Sequence, residues 1–138
     1  MLTCTRRLTF CAGHRVYGHE NKCANLHGHN YVVEIDAEGG LDHVGRVIDF
    51  AVLKDRVGGF LESQWDHGFL FWEGDETLLC HFRGSGFKYQ ELTFNPTAEN
   101  IATHLLRVVC PQVLADTGVN VRRVRVMETE NCWAADEL

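Results

Sequence analysis

The sequence predicts an α+β fold, and three observations carry that prediction. Two segments near the N-terminus and one near the C-terminus alternate apolar and polar residues, the period of a half-buried strand. Two longer segments place apolar residues at helical spacing. No repeat, low-complexity tract or Pro/Ser-rich linker divides the chain, so residues 1–138 read as one domain. A chain of 138 residues buries about two-thirds of its unfolded surface in a single core. Runs of strands interrupted by two amphipathic helices then suggest an antiparallel sheet with helices on one face.

The elements follow in order. In residues 2–12, Leu2, Cys4, Leu8, Phe10 and Ala12 share one parity, opposite Thr3, Thr5, Arg7 and Thr9. A loop over 13–28 carries Gly18, Asn21 and Asn25. Residues 29–38 alternate again, Tyr31, Val33, Ile35 and Ala37 against Asn30, Glu34, Asp36 and Glu38. Gly39-Gly40 turns the chain into a short strand expected at Arg46 to Ile48. Asp49 is a good N-cap for a helix with Phe50, Leu53, Val57, Phe60 and Leu61 on one face. Its Gly58-Gly59 pair weakens it by about 1 kcal/mol per glycine relative to alanine. Glu76 to Phe82 reads as a short helical turn and Phe87 to Phe94 as an accessory strand. Thr97 caps a second helix striped with Ile101, Ala102, Leu105, Val108 and Val109. Residues 119–127 form a last strand, with Val124 and Val126 on the side of Glu128.

Composition narrows the function. The chain is 45% hydrophobic and 23% charged, which excludes a disordered chain. No apolar run approaches the roughly 18 residues that span a bilayer, so no membrane partner is expected. Thirteen Lys and Arg against nineteen Asp and Glu give a net charge of −6, which argues against nucleic acid as the main partner. With no secretion signal at the N-terminus, the six cysteines are expected as reduced thiols in the cytoplasm.

The chemistry centres on His27-Gly28-His29. At the start of a strand, imidazoles at i and i+2 point to one face, with no side chain between them. His14 ends the first strand in the same parity as Phe10 and Ala12 and supplies a third imidazole. Three neutral imidazoles favour zinc over calcium or magnesium, with iron, nickel and copper left open. A lone His-x-His is equally a solvated strand end. Cys23, four residues before His27 and beside Lys22, adds a thiol able to act as base or nucleophile. As a fourth ligand it would close the site; as a non-ligand it leaves a position open for substrate. Asp66-His67 is a second pair, a carboxylate beside the imidazole it can orient. The remaining histidines, His19, His43, His81 and His104, carry no assigned role. A zinc hydrolase is disfavoured because no His-Glu-x-x-His helix is present.

Six ordered motifs carry a resemblance: Phe10-Cys11-Ala12-Gly13-His14-Arg15, Cys23-Ala24-Asn25-Leu26-His27-Gly28-His29-Asn30-Tyr31, Val47-Ile48-Asp49-Phe50, Trp65-Asp66-His67, Pro96-Thr97-Ala98-Glu99-Asn100 and Glu128-Thr129. They resemble the 6-pyruvoyl- and 6-carboxytetrahydropterin synthase family over residues 8–130. The resemblance implies the tunnelling fold, a four-stranded antiparallel sheet with two helices on one face, here with an insertion from Trp72 to Phe94. It implies trimers or hexamers with active sites shared between subunits. It implies Zn²⁺ on His14, His27 and His29, a catalytic Cys23, and Asp66 with His67 as its partners from a neighbouring subunit. Glu128 would grip the pterin ring and Thr97 would sit at the same pocket, while Glu99 reads as structural. Arg15 and Lys22 are the candidates for the triphosphate. The three-residue gap from Cys23 to His27 resembles the 6-carboxytetrahydropterin synthases of 7-deazaguanine (queuosine precursor) biosynthesis. The substrate so implied is a small pterin triphosphate, 7,8-dihydroneopterin triphosphate. The sibling 6-pyruvoyl activity shares every residue named, and a non-catalytic zinc or pterin-binding module would need neither Cys23 nor Asp66-His67.

Overall fold

A computed structural model describes residues 1–138. Strand β1 (Thr3–His14) and strand β2 (His27–Glu38) form a long antiparallel pair, with Phe10 opposite Tyr31, Ala12 opposite His29 and His14 opposite His27. The alternation read from the sequence sets which side is buried. Leu8, Phe10 and Ala12 meet Tyr31, Val33, Ile35 and Ala37 in one core. Strand β5 (Asn120–Met127) pairs antiparallel with β2, and β6 (Trp133–Glu137) pairs antiparallel with β5. Two long helices cover the apolar face. Helix α1 spans residues 50–65 and α3 residues 98–113, both widened by π-type stretches in their middles. Asp49 accepts from the Ala51 amide at 2.9 Å and Thr97 from the Asn100 amide at 3.1 Å, so both expected caps form. Leu53, Val57, Leu61 and Trp65 of α1 pack with Ile101, Leu105 and Val109 of α3 in the same cluster.

Strands β1, β2, β5 and β6 run antiparallel, but the expected four-stranded antiparallel sheet is corrected to a larger one. Strands β3 (Gly68–Trp72) and β4 (Tyr89–Leu92) extend it to six, in the order β4-β3-β1-β2-β5-β6. β3 runs parallel to β1, and β4 parallel to β3, so the sheet is mixed. Helix α2 (Glu76–Phe82) makes that parallel step possible by returning the chain between β3 and β4. Its Phe82 stacks on Phe69 and Phe71, while Leu70 joins the main core. Successive strand residues face opposite sides, so α2 covers the face of β3 away from the two long helices. Two helices on one face is therefore corrected to two on one face and a third on the other.

The expected strand at Arg46 to Ile48 does not form. Asp42 ties that segment into a local loop, its carboxylate accepting from the amides of Val44 and Arg46 and from the Arg46 guanidinium. A carboxylate that satisfies nearby amides removes the reason to pair with a sheet.

Candidate functional site

The hydrogen-bonded register at the end of the β1–β2 pair closed by the 15–26 loop places His14, His27 and His29 on the core-facing side. Their ring centroids form a near-regular triangle of 4.5, 5.0 and 5.0 Å. Gly28, between two of them, and Gly13, beside the third, are closely approached by their surroundings. A Cβ on Gly28 would stand 3.0 Å from the Ala12 carbonyl, and one on Gly13 would stand 2.6 Å from the Phe69 ring.

Two backbone carbonyls orient the rings. His14 Nδ1 donates to the Pro96 carbonyl at 2.8 Å, with the Tyr31 hydroxyl oxygen 3.0 Å from the same nitrogen. His27 Nδ1 donates to the Asn25 carbonyl at 2.7 Å. A carbonyl only accepts, so both Nδ1 atoms hold the proton and both Nε2 atoms present lone pairs. Those two Nε2 atoms face each other at 3.0 Å. His29 Nε2 is buried with no hydrogen-bond partner; the Glu128 carboxylate approaches it only to 3.7 Å. Three clustered imidazoles, two of them meeting lone pair to lone pair, form a set that could hold a cation. Bonds of roughly 2.0–2.1 Å at a tetrahedral centre separate their donors by about 3.3 Å, close to the observed spacing. The residues present fit a metal ion. Burial lowers the His14 pKa to about 4 and also lowers that of His29, which keeps these rings neutral and ready to ligate.

Beside the triad lies a pocket of about 220 Å³ whose wall includes Cys23, Thr97, Glu99 and Glu128. A short helical turn, Lys22–Ala24, carries Cys23, and the Val16 amide donates to the Cys23 carbonyl at 2.9 Å. Asn95 clamps this loop to the start of α3, accepting from the Tyr17 amide at 3.0 Å and donating to the Tyr17 carbonyl at 2.9 Å. Glu128 follows β5, its amide bonded to the Cys132 carbonyl across the β5–β6 turn. Burial, then the neighbouring Glu99, raise the Glu128 pKa, against a lowering by His27. His19, Cys132 and Trp133 also line this pocket, although the sequence assigned them no role.

Asp66 and His67 stand elsewhere and do not line the Cys23 pocket. They sit at the entry to β3, where Asp66 accepts from the Cys11 amide at 2.8 Å and from His67 Nδ1 at 2.8 Å. The Cys11 amide is the largest cause that holds the Asp66 carboxyl below its ordinary pKa. His67 has a positive φ of 61° and a side chain 78% exposed. Arg15 is engaged by buried Asp75 through two bonds, at 2.7 and 2.6 Å. Its guanidinium is paired with that carboxylate in this structure. Lys22 is exposed.

The profile of the 6-pyruvoyl tetrahydropterin synthase family matches residues 3–137. The chain belongs to this family. A relative from Rickettsia bellii, named 6-carboxy-5,6,7,8-tetrahydropterin synthase, is 41% identical over 96% of this chain and 98% of its own. A Haemophilus influenzae protein of the same name is 30% identical over 94% of each chain. Among solved structures, an uncharacterised protein from Wolinella succinogenes superposes with a TM-score of 0.84 at 25% identity, covering 99% of this chain and 97% of that one. The 6-pyruvoyl tetrahydropterin synthase of Caenorhabditis elegans superposes at 0.71 with 23% identity, covering 99% and 95%, a likeness of fold. For this family member, no helix is long and apolar enough to cross a membrane.

Proposed function

We propose that this chain is a 6-carboxytetrahydropterin synthase. It converts 7,8-dihydroneopterin triphosphate, with water, to 6-carboxy-5,6,7,8-tetrahydropterin, acetaldehyde and triphosphate. The observation that carries this reading is the 41% identity over nearly the whole chain to a relative of that name. The geometry supports it, because three imidazoles cluster together and Glu128, 3.7 Å from one of them, shares a pocket wall with the Cys23 thiol.

His14, His27 and His29 would hold a Zn²⁺ ion, which would supply Lewis acidity toward the substrate's side-chain oxygens. Glu128 accepts two parallel N–H groups from the 2-amino-pyrimidinone edge, as a carboxylate is shaped to do. Thr97 borders the same pocket, its hydroxyl already capping α3. Cys23 takes a proton from the substrate side chain, and His67, oriented by Asp66, relays protons.

Because Asp66 and His67 do not line the Cys23 pocket of their own chain, we assign them to the site of a neighbouring copy. The pocket's size supports this. About 220 Å³ is below the roughly 300–1,000 Å³ typical of small-molecule sites, so a second copy supplies further walls. A homo-oligomer, a trimer or hexamer, joined through the open edges β4 and β6 fits that arrangement, with residues 1–138 acting as one domain in each copy. The test is mass spectrometry of products from 7,8-dihydroneopterin triphosphate. 6-Carboxytetrahydropterin is expected; 6-pyruvoyl-tetrahydropterin in its place would move the protein to the sibling activity.

A further inference from the structure

The turn entering β3 gathers a second set of metal-type donors, apart from the three histidines. Cys11, Asp66 and His67 each offer one donor atom, and these atoms lie within 4.8 Å of one another. We propose that they form a separate binding site for a borderline-soft divalent ion of the zinc type.

The donors suit that class of ion. A thiolate, an imidazole and a carboxylate are all zinc ligands, and the thiolate disfavours magnesium or calcium. Three protein ligands leave one position for water. The backbone holds the set together before any ion arrives. The Cys11 amide donates to Asp66 at 2.8 Å, and the His67 amide donates back to the Cys11 carbonyl at 2.7 Å. His67 alone among the non-glycine residues takes a positive φ, a costly conformation that persists where its surroundings demand it. That backbone turn sets its imidazole beside the thiol-bearing strand. Lys88, the nearest ammonium, is turned to the carbonyls of Glu62 and Asp66, at 3.0 and 2.6 Å. Cys11 alternates with Ala12 along β1, so its side chain leaves the sheet on the face opposite His14. The two ion sites are therefore distinct.

Occupancy has a consequence that rests on the proposed function. An ion on Asp66 and His67 withdraws both from proton transfer, so metal beyond the first equivalent inhibits the enzyme. The experiment is a titration of the zinc-loaded full-length protein with Co²⁺, read by absorbance and by turnover. The expected result is one further equivalent bound with a thiolate-to-cobalt charge-transfer band, lost in Cys11→Ala and in Cys11→Ser. The variants keep the backbone bonds and basal turnover, and their turnover resists the added metal. Absence of a further equivalent, or a band that survives in both Cys11 variants, overturns the site. The Cys11-dependent band without loss of turnover supports the site and counts instead against a catalytic part for Asp66 and His67.

Discussion

Cys23 and Glu128 share one pocket wall but have separable jobs in the proposed reaction. Cys23→Ala removes the base and no imidazole ligand. It is expected to keep its metal and its substrate affinity while turnover falls at least about 10²-fold, the usual worth of a positioned acid–base group. Glu128→Ala is expected to weaken binding first, by about 1.5–3 kcal/mol for a lost charged hydrogen-bonding group. Isothermal titration with substrate beside steady-state kinetics separates the two effects. His14 carries a prediction about pH. Its folded pKa is lowered to about 4 from 6.5, so in metal-free protein the unfolded chain takes up the proton first as pH falls. The stability held by the neutral ring is complete above about pH 6.5 and is lost progressively down to about pH 4. Thermal melts of the metal-free protein across that range should show the decline, and His14→Gln should flatten it. The clustering of His14, His27 and His29 was legible because the strand period puts i and i+2 on one face. Their orienting partners, the carbonyls of Pro96 and Asn25, were not, because every residue has a carbonyl and only the fold selects one.

At the scale of elements, the long strands and helices were legible wherever one face is apolar and the other polar. β6 escaped notice because its five residues, three apolar followed by two acidic, show no alternation of apolar and polar types. It is held by pairing with β5, by Arg107 on Asp136 at 2.8 Å, and by Arg125 lying 4.4 Å over the Trp133 ring. The parallel placement of β3 was likewise unreadable, since a five-residue strand carries no record of its partner. Asp75 now explains how that region is fastened. It is buried, caps α2 through the Leu78 amide, and grips Arg15 at the end of β1. Breaking a buried ion pair from one side costs about 3–5 kcal/mol, and the partial exposure of Arg15 puts this pair at the low end. Asp75→Ala is therefore expected to lower stability by about 3 kcal/mol. Urea denaturation should show a lower midpoint with an unchanged slope.

Across the whole molecule, the sheet has two unlike faces. One is sealed by α1 and α3; the other, along β1, β2 and β5, shows Arg7, Glu34 and Arg125 in a charged row. A polar face needs no second helix layer, and the two outermost strands, β4 and β6, leave backbone groups free to pair with another copy. The same layout splits the proposed site. The histidines and Cys23 lie at one end of the β1–β2 pair, while Asp66 and His67 lie at the entry to β3 and do not line the Cys23 pocket. That separation was implied by the resemblance but could not be read from the residues alone, because spacing in sequence does not record which copy a side chain serves. The most direct test mixes two inactive proteins, Cys23→Ala and His67→Ala, allows their subunits to exchange, and measures acetaldehyde released from 7,8-dihydroneopterin triphosphate. The proposed site predicts that neither variant alone releases acetaldehyde and that the mixed oligomer recovers part of the wild-type rate. Exchange verified by native mass spectrometry, with no recovery of acetaldehyde, would contradict it.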